Sequence, residues 1–317
     1  MTIAKADVAV LTPADFEIAF GERVSPYVAG RIGSYDFHYR HLSQSERDGW
    51  LRTAIQALLG GALDRAGEAR LSKWEFGWGE NLAAISDRFD LEAITPRYFG
   101  KFDVVRWRQD YIAPLNPQFE RNSLAIIQDW LFDKYARNAS AVYEFGCGTG
   151  HNLLRVRDVN PSATLYGLDW TEASQGIIAN LNRLGLGGEL HGLRFNFFEP
   201  DPSLEIKRRA VIYTSAALEQ TGDRYQPFIE WLISQRPALC LHIEPIAELL
   251  DETNLLDYLS VRYFEKRNYL KGFLTHLRKL ESDGQIDIHL ARRTYIGSLF
   301  IDGYSVVAWS PKGMALP

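Results

Sequence analysis

An acidic residue followed by three glycines at alternate positions is the part of the sequence that most directly suggests chemistry. The segment VYEFGCGTGHN, residues 142–152, places Glu144 in an apolar run and follows it with Gly146, Gly148 and Gly150. Glycine lets a backbone bend sharply and lets a ligand approach it, because no Cβ atom is in the way. If a helix begins there, its first N–H groups are free donors. The segment therefore predicts a ligand-binding turn.

A second acidic residue, Asp169, ends the next apolar run, LYGLDW, 19 residues after Gly150. A dinucleotide-binding turn would place its third glycine three residues after the second, whereas position 151 is His. The spacing therefore disfavours a dinucleotide oxidoreductase.

The elements that must position these residues follow a regular alternation from residue 120 onward. Apolar, β-rich runs alternate with helical ones, which predicts a parallel sheet covered on both faces. The predicted strands are 141–146, 163–168, 191–198, 209–215 and 238–244, and the predicted helices lie near 151–158, 172–184, 226–235 and 254–280. Residues 285–312 contain two strand-like runs without a helix between them, so the final strand is expected to pair antiparallel near the sheet edge.

Residues before 120 show a different pattern. Residues 45–67 have helical periodicity behind a serine, and residues 74–111 are aromatic and loop-rich. We expect this part to be helical and irregular, without regular strands. Ligands of open α/β sheets bind at the carboxyl ends of the strands where the strand order reverses, which is where the glycine turn would lie.

The turn at residues 144–150 resembles the E-x-G-x-G-x-G motif of the class I S-adenosylmethionine-dependent methyltransferases, and the similarity covers about residues 120–317. The resemblance implies an enzyme with a Rossmann-like α/β fold: a seven-stranded, mostly parallel sheet with an antiparallel last strand and helices on both faces. It also implies S-adenosylmethionine as cofactor and S-adenosylhomocysteine as product. Residues 1–119 would then be a helical and loop-rich region that supplies acceptor specificity or a lid.

The resemblance also implies a set of cofactor-binding residues. In this family an acidic residue at the end of the second strand holds both ribose hydroxyls, and Asp169 has that position; a carboxylate can accept two hydrogen bonds at once. Trp170 and Phe197 are expected on the adenine ring, and Asn196 on its amino group. The full predicted set is Glu144, Phe145, Gly146, Cys147, Gly148, Thr149, Gly150, Asn152, Asp169, Trp170, Asn196, Phe197 and Thr214.

Structural explanations compete with these assignments. The glycines would also suit a tight turn without a ligand, and Asp169 would suit the N-cap of a helix. Trp170 and Phe197 would suit an apolar core.

The predicted catalytic residues are Glu219, His242 and Glu244, because residues at the ends of the fourth and fifth strands face the transferred methyl in this fold. A sulfonium methyl is already electrophilic, so the protein mainly aligns the acceptor and excludes water. A hydroxyl or carbon acid also needs a general base, for which His242 is suited. Strand alternation sends His242 and Glu244 to one face, so both approach the site or both pack under a helix.

The acceptor is less well specified. TSAALEQ, residues 214–220, stands where enzymes that methylate adenine or glutamine amides carry Asn-Pro-Pro-Tyr or Asp-Pro-Pro-Tyr. Aromatic and arginine residues in 74–82 and 97–114 suit flat or sugar rings with anionic groups. This segment has a general similarity to N-terminal regions of methyltransferases from bacterial polysaccharide gene clusters. We expect O- or N-methylation of a small molecule such as a nucleotide-linked sugar or glycan precursor; RNA or protein methylation, or cofactor binding without catalysis, are the alternatives.

Composition limits the remaining properties. The chain has 317 residues, 46% of them hydrophobic, which is enough for a large core. A net charge of -5 gives no overall attraction to nucleic acid, so nucleic acid is not an expected partner. Two cysteines, no leader pattern and no membrane-spanning run lead us to expect a cytoplasmic protein. No metal site is expected, and the oligomeric state is left open.

Overall fold

The computed structural model describes residues 8–85, 92–186 and 188–317. The first part of the chain, to residue 118, contains β1 (Val8–Val10), α1 (Pro13–Phe20), α2 (Pro26–Gly33), β2 (His38–His41), α3 (Gln44–Leu59), α4 (Leu71–Ala84), β3 (Val105–Trp107) and β4 (Asp110–Pro114). The rest contains α5 (Phe119–Tyr135), β5 (Ala141–Phe145), α6 (His151–Val159), β6 (Thr164–Asp169), α7 (Glu172–Arg183), β7 (Leu190–Arg194), β8 (Val211–Ser215), α8 (Gln226–Gln235), β9 (Leu239–Glu244), α9 (Leu255–Arg267), α10 (Phe273–Ser282), β10 (Ile286–Arg292), β11 (Ile296–Gly297) and β12 (Ser305–Pro311).

The larger sheet has seven strands in the order β10-β12-β9-β8-β5-β6-β7. Strands β5 to β9 pair in parallel, and β12 pairs antiparallel with both β9 and β10. The predicted α/β fold with an antiparallel last strand is therefore confirmed. Because the chain builds outward from β5 to β6 and β7, then returns to β8 on the other side, the strand order reverses beside β5. A crevice at the carboxyl ends of the strands is expected there.

Helices cover both faces of this sheet, as predicted. On one face, Ile127 of α5, Leu153 of α6 and Ile178 of α7 are buried in one apolar cluster. On the other, Phe228 of α8 and Leu277 of α10 belong to a second cluster. Both faces of the parallel strands are therefore removed from water, which explains their nearly continuous apolar sequence.

The N-terminal region contains a second sheet, so the expectation that it lacks regular strands is wrong. Five short strands form this sheet in the order β1-β2-β4-β3-β11, and all neighbouring strands pair antiparallel. Strands β3 and β4 are joined by Arg108 and Gln109, which both have positive φ, 50° and 64°. Hairpin turns of this kind are usually marked by Asn-Gly or Asp-Gly, and neither pair is present here, so no local pattern indicated this hairpin. Strand β11 comes from the C-terminal part of the chain and joins the two regions.

Two further predicted elements differ in the structure. The helix predicted over 254–280 is broken between α9 and α10, where Asn268 and Gly272 adopt left-handed conformations that end one helix and precede the next. The strand predicted over 191–198 ends at Arg194. Beyond it, the side-chain oxygen of Asn196 accepts a hydrogen bond from the Phe198 N–H at 3.0 Å, which turns the chain out of the sheet.

A buried ionic cluster fixes α9 against the chain that follows β10. The Arg293 guanidinium donates to Asp257 at 2.6 Å and to Asp302 at 2.8 Å. Arg106 of β3, 2% exposed, donates to the carbonyl oxygens of Leu256 and Phe300 at 2.6 and 2.8 Å. Because these charges are desolvated, removal of one charged partner is expected to destabilise the fold strongly.

Two findings concern the whole described chain. None of its helices combines the length and the apolar character needed to cross a bilayer. Cys147 and Cys240 are both buried free thiols.

We expect Asp257→Ala to lower the free energy of unfolding by about 3 kcal/mol, because it leaves the buried Arg293 partly unpaired. Urea denaturation at pH 7 measures the change. The control is Glu252→Ala, which removes an exposed partner of Arg262 in the same region and should cost less than about 1 kcal/mol. Equal losses of unfolding free energy in the two variants would contradict a larger contribution from the buried cluster.

Candidate active site

The glycine turn between β5 and α6 lies at the centre of the larger sheet. Gly146, Gly148 and Gly150 all have positive φ, at 75°, 52° and 71°, which side chains rarely tolerate. A Cβ atom on Gly146 would lie 2.4 Å from Ala217 Cβ, and one on Gly148 would lie 2.8 Å from Trp78 Cζ2. Glycine is therefore required both by the backbone conformation and by the close approach of neighbouring elements.

Glu144 holds this turn in place from beneath. Its carboxyl accepts hydrogen bonds from the Asn152 amide at 2.7 Å and the Tyr213 hydroxyl at 2.8 Å. Gln128 of α5 donates in turn to Asn152 at 2.9 Å. Burial raises the pKa of Glu144 to about 8. Glu144 and Asn152 thus tie β5 to α6, β8 and α5, and their side chains are engaged within the protein.

Asp169, at the end of β6, both supports the turn and borders a cavity. One carboxyl oxygen accepts the Gly148 N–H at 3.0 Å, and the other accepts the N–H and hydroxyl of Thr171 at 2.9 and 2.7 Å. Burial raises the pKa of Asp169, and these hydrogen bonds oppose the shift. The carboxylate has about four acceptor positions, so one stays free for a ligand hydroxyl. The N-cap of α7 is Thr171, so Asp169 is not the cap residue.

A cavity of about 530 Å³, including its open mouth, lies at the carboxyl ends of β5 to β8. Its lining residues are Trp74, Trp78, Gly146, Asp169, Trp170, Phe195, Phe197, Phe198, Ala216, Ala217, Gln220 and Thr221. The combination of a glycine turn, a carboxylate with a free acceptor position and several aromatic rings suits a ribose with an attached flat base. Trp170 and Phe197 both border this cavity, whereas Asn196 uses its side-chain oxygen to shape the turn beside it.

Four of the predicted cofactor-binding side chains point elsewhere. Phe145 packs into the core on the opposite face, with its ring 5.1 Å from that of Phe228. Cys147 is buried under the turn, and burial raises the pKa of its thiol. The Thr149 hydroxyl lies 3.0 Å from His151 Nδ1, and Thr214 is fully buried.

His242 is not placed to act as a base, so that prediction is wrong. The residue is fully buried, and its Nε2 accepts a hydrogen bond from the Trp309 indole at 2.9 Å. The other ring nitrogen, Nδ1, therefore carries the proton and donates to the Thr214 hydroxyl at 3.0 Å. Burial lowers the pKa of His242 to about 3. Strand alternation left two orientations open for His242, towards the site or under a helix. In the structure its side chain packs under α10, against Phe273.

Glu244 organises a loop at the rim of the cavity. It is fully buried, and its carboxyl accepts the backbone N–H groups of Ala217, Leu218 and Glu219 at 3.0–3.1 Å. These donors begin the short 3-10 turn Leu218–Thr221, which follows β8. Burial, followed by the nearby Glu219 carboxyl, raises the pKa of Glu244. Glu244 is therefore a positioning residue in this structure.

Glu219 is the predicted catalytic residue closest to the cavity. Its side chain accepts a hydrogen bond from Gln220 at 2.9 Å, and Gln220 lines the cavity. Burial raises the pKa of Glu219, and Arg267 and Arg70 oppose the shift. Arg70 also donates to Gln220 at 3.0 Å.

Helix α4 of the N-terminal region covers the glycine turn. Trp74 and Trp78 lie in contact on this helix, with ring centroids 5.3 Å apart. Between them, Glu75 accepts the backbone N–H groups of Glu172 and Ala173, each at 2.8 Å, at the start of α7. The aromatic residues of α4 were noticeable in the sequence, but nothing there indicated that Glu75 would bind the start of a distant helix.

Two further polar residues near the strand ends, Tyr304 and Glu120, were missed by sequence reasoning, whereas Tyr98 belongs to the aromatic segment 97–114 noted there. The Tyr304 hydroxyl donates to Glu120 at 2.9 Å, and burial raises the pKa of Glu120 to about 7. Burial raises the pKa of the Tyr98 hydroxyl most, and the carboxyls of Glu219 and Glu120 raise it further. These residues come from separate segments, so no local pattern in the sequence could have grouped them.

Within the described ranges, no group of three or more histidine, cysteine, aspartate or glutamate residues could hold a metal ion.

Comparisons with known proteins were made by sequence and by structure. No family model matches the chain. It is 27% identical over 219 residues to the release factor glutamine methyltransferase of Gloeobacter violaceus, covering 68% of this chain and 71% of that protein. Human N-acetylserotonin methyltransferase in complex with SAM aligns with a TM-score of 0.46 and 15% identity, over 85% of this chain and 68% of the other. Magnesium protoporphyrin IX methyltransferase from Synechocystis PCC 6803 with bound SAH aligns with a TM-score of 0.44 and 14% identity, over 61% of this chain and 83% of the other.

The strand order, the glycine turn with its two acids and the sequence relative together support a class I methyltransferase fold. They also support an enzyme that uses S-adenosylmethionine as its cofactor. They leave the acceptor undetermined.

We expect His242 to make the stability of the protein depend on pH. In the unfolded chain a histidine takes a proton near pH 6.5, whereas folded His242 takes one near 3. The free energy of unfolding should therefore fall by up to about 1.4 kcal/mol per pH unit as the pH falls below 6.5. Urea denaturation between pH 7 and 5 measures this slope.

In His242→Gln the slope should be smaller by that amount, although the variant is less stable at pH 7. The control is His41→Gln, at an exposed position of β2, which should keep the wild-type slope. An unchanged slope in His242→Gln would contradict the assignment of His242 as a buried, neutral residue.

Proposed function

We propose that the protein transfers a methyl group from S-adenosylmethionine to an oxygen or nitrogen atom of a small molecule. The observation that carries the proposal is the cavity that combines the glycine turn, Asp169 and two aromatic residues, Trp170 and Phe197, under the cover of α4. When bound, the cofactor supplies an electrophilic methyl group on a sulfonium.

Each part of this cavity has a role in binding. The free acceptor position of Asp169 suits a ribose hydroxyl, and Trp170 and Phe197 suit the two sides of an adenine ring. Gly146 borders the cavity and lets the cofactor approach the backbone there. The start of α6 behind the turn provides N–H donors for a negatively charged group.

Glu219 is proposed to contact the acceptor at the rim. It lies in the turn after β8, which Glu244 fixes through three backbone N–H groups. A carboxyl in a desolvated site can bind a hydroxyl or an amine and can accept a proton.

The enclosure of the cavity supports a small acceptor. Helix α4 is attached by Glu75 to the start of α7 and by Arg70 to Gln220. An RNA strand or a folded protein would have to displace this helix to reach the glycine turn. A small molecule needs no such displacement.

The narrower expectation of a nucleotide-linked sugar or glycan precursor has less support. Trp74 and Trp78 line the cavity. Arg106 and Tyr111, which also suggested such an acceptor, are buried and donate to backbone carbonyls. The aromatic residues alone do not require an anionic acceptor, so the sugar class stays a prediction.

A protein acceptor is the second proposal, because the sequence relative is a release factor glutamine methyltransferase. The turn after β8 argues against a glutamine amide. It contains Ala216, at a φ of 51°, and Ala217, whose side chains offer no hydrogen-bonding groups for a planar amide. The arginine and lysine residues of α9, which could bind RNA, are also less available, since Arg262 pairs with Glu252 and Glu265.

We expect the wild-type protein to bind S-adenosylhomocysteine, and Asp169→Ala to weaken this binding at least about tenfold, because a buried hydrogen-bonding partner of the ligand is lost. Isothermal titration calorimetry measures both affinities. The control is Asp201→Ala, which changes an exposed aspartate bonded to Ser203 and should leave the affinity unchanged.

Transfer of tritiated methyl from labelled S-adenosylmethionine into extract fractions then identifies the acceptor class. Label in the metabolite fraction that disappears with Asp169→Ala supports the proposal, whereas label in protein or RNA supports the alternatives. If the wild-type protein did not bind S-adenosylhomocysteine, every methyltransferase hypothesis for this chain would be contradicted.

A further inference from the structure

Tyr304 and Glu120 form a hydrogen-bonded pair at the carboxyl edge of the larger sheet. Ser305, the first residue of β12, pairs with Glu244, the last residue of β9. Tyr304 therefore lies one residue beyond the end of β9. Its hydroxyl donates to Glu120, in the first turn of α5, at 2.9 Å. The pair thus stands at the same edge of the sheet as the cofactor cavity.

Glu120 has no cation to neutralise it. In the part of the chain that the structure describes, it forms no ion pair, and Tyr304 is its hydrogen-bond partner. It lines a small cavity of about 460 Å³ together with Asp103 and Phe102. The titratable groups facing it are Tyr304, Tyr98 and Asp103. Burial, opposed by the Tyr304 hydrogen bond, raises the pKa of Glu120 to about 7.

Tyr98 connects this pair with the centre of the site. Its hydroxyl is close enough to Glu219, Glu120, Glu144 and Glu244 for each carboxyl to raise its pKa. Glu144 belongs to β5 and Glu244 ends β9, and these strands flank β8. These carboxyls all lie at or near the carboxyl edge of the larger sheet.

Tyr98 as a whole residue nevertheless has 43% of its surface exposed. Tyr98 is therefore in contact with water, although carboxyl groups lie near its hydroxyl. No hydrogen bond joins this hydroxyl to another residue within the described ranges. It is thus free to bind a ligand.

We propose that the reacting hydroxyl or amine of the acceptor binds between Tyr98 and the Glu120–Tyr304 pair, and that Glu120 accepts its proton. This inference rests on the proposed function. The acceptor lone pair forms the new bond to the methyl carbon, the electrons of the broken S–C bond stay on sulfur, and the acceptor proton moves to Glu120. Tyr304 holds the carboxyl in place, and Tyr98 orients the acceptor.

Glu120 is better suited to this step than Glu219. Glu219 is engaged by Gln220 and lies near Arg70 and Arg267, whereas Glu120 has one hydroxyl donor. A base works best when its pKa is close to the working pH. Glu219 then serves as a second contact for the acceptor.

The charges around this position define the class of acceptor. Glu120, Glu219 and the hydroxyls of Tyr98 and Tyr304 form a surface that favours neutral or cationic groups. A phosphate or carboxylate next to the reacting atom would be repelled. The acceptor is therefore a neutral alcohol or phenol, or an amine, without an anionic group beside the atom that receives the methyl.

Sinefungin tests this geometry before the acceptor is known. In this analogue of S-adenosylmethionine, a carbon bearing an amine replaces the sulfur bearing the methyl, so its ammonium group marks where the methyl leaves. We expect Glu120→Gln to weaken sinefungin binding at least about fivefold, because a charge-assisted hydrogen bond is lost. Binding of S-adenosylhomocysteine, which lacks this ammonium, should stay unchanged. Calorimetry on the full-length chain measures both.

The pH dependence separates a direct contact from a structural role. Since the ionised form of Glu120 binds the ammonium, sinefungin affinity of the wild type should rise as the pH increases from 6 to 8. This rise should be absent in Glu120→Gln and largely restored in Glu120→Asp. Tyr98→Phe should weaken sinefungin binding by a smaller factor. The controls are Glu252→Gln and Tyr258→Phe, both at exposed positions of the same chain.

Three results would overturn the inference: equal loss of both ligands in Glu120→Gln, no loss of either ligand, or a pH dependence that persists in this variant. Failure of the proposed function looks different, because the wild type would then bind neither S-adenosylhomocysteine nor sinefungin.

Discussion

The rest of the site depends on the fixed backbone of the glycine turn. Three left-handed residues bring this turn close to β8 on one side and to α4 on the other, so any Cβ atom at Gly146 or Gly148 would collide with a neighbour. Glu144 below the turn and Asp169 beside it hold the same segment by hydrogen bonds to Asn152, Tyr213 and the Gly148 N–H. The acids therefore serve first to shape the turn. A ligand then meets a preformed surface, which reduces the ordering cost of binding.

Burial separates the titratable residues near the strand ends into different roles. His242 and Glu244 are completely enclosed and satisfied by Trp309, Thr214 and backbone N–H groups, so they stabilise the loops around the site. Burial also raises the pKa values of Glu120 and Glu219, but these residues have fewer fixed partners, and Glu120 lines a cavity. A desolvated carboxyl with spare acceptor positions can respond to a ligand, whereas a fully bonded one cannot do so without breaking its own contacts.

The N-terminal region is joined to the methyltransferase fold at several points. Strand β11 extends its sheet, Arg106 binds the carbonyls of α9 and the chain before β12, and Glu75 binds the start of α7. These contacts place Trp74 and Trp78 over the glycine turn. The enclosure of the cavity is thus a property of both regions together, and we propose that it selects acceptors by size.

Local spacing and the alternation of apolar runs were enough to predict the α/β fold, the antiparallel last strand, the glycine turn and the place of Asp169 at a strand end. The sequence left open which way His242 faces, since an alternating strand has two equivalent faces until helices pack on them. The second sheet escaped notice because its hairpin turn, Arg108-Gln109, lacks the usual glycine. Only the tertiary structure brought Tyr98, Glu120, Glu219 and Tyr304 together. They come from four distant segments, and long-range packing, which no local pattern encodes, sets their distances and their shared desolvation.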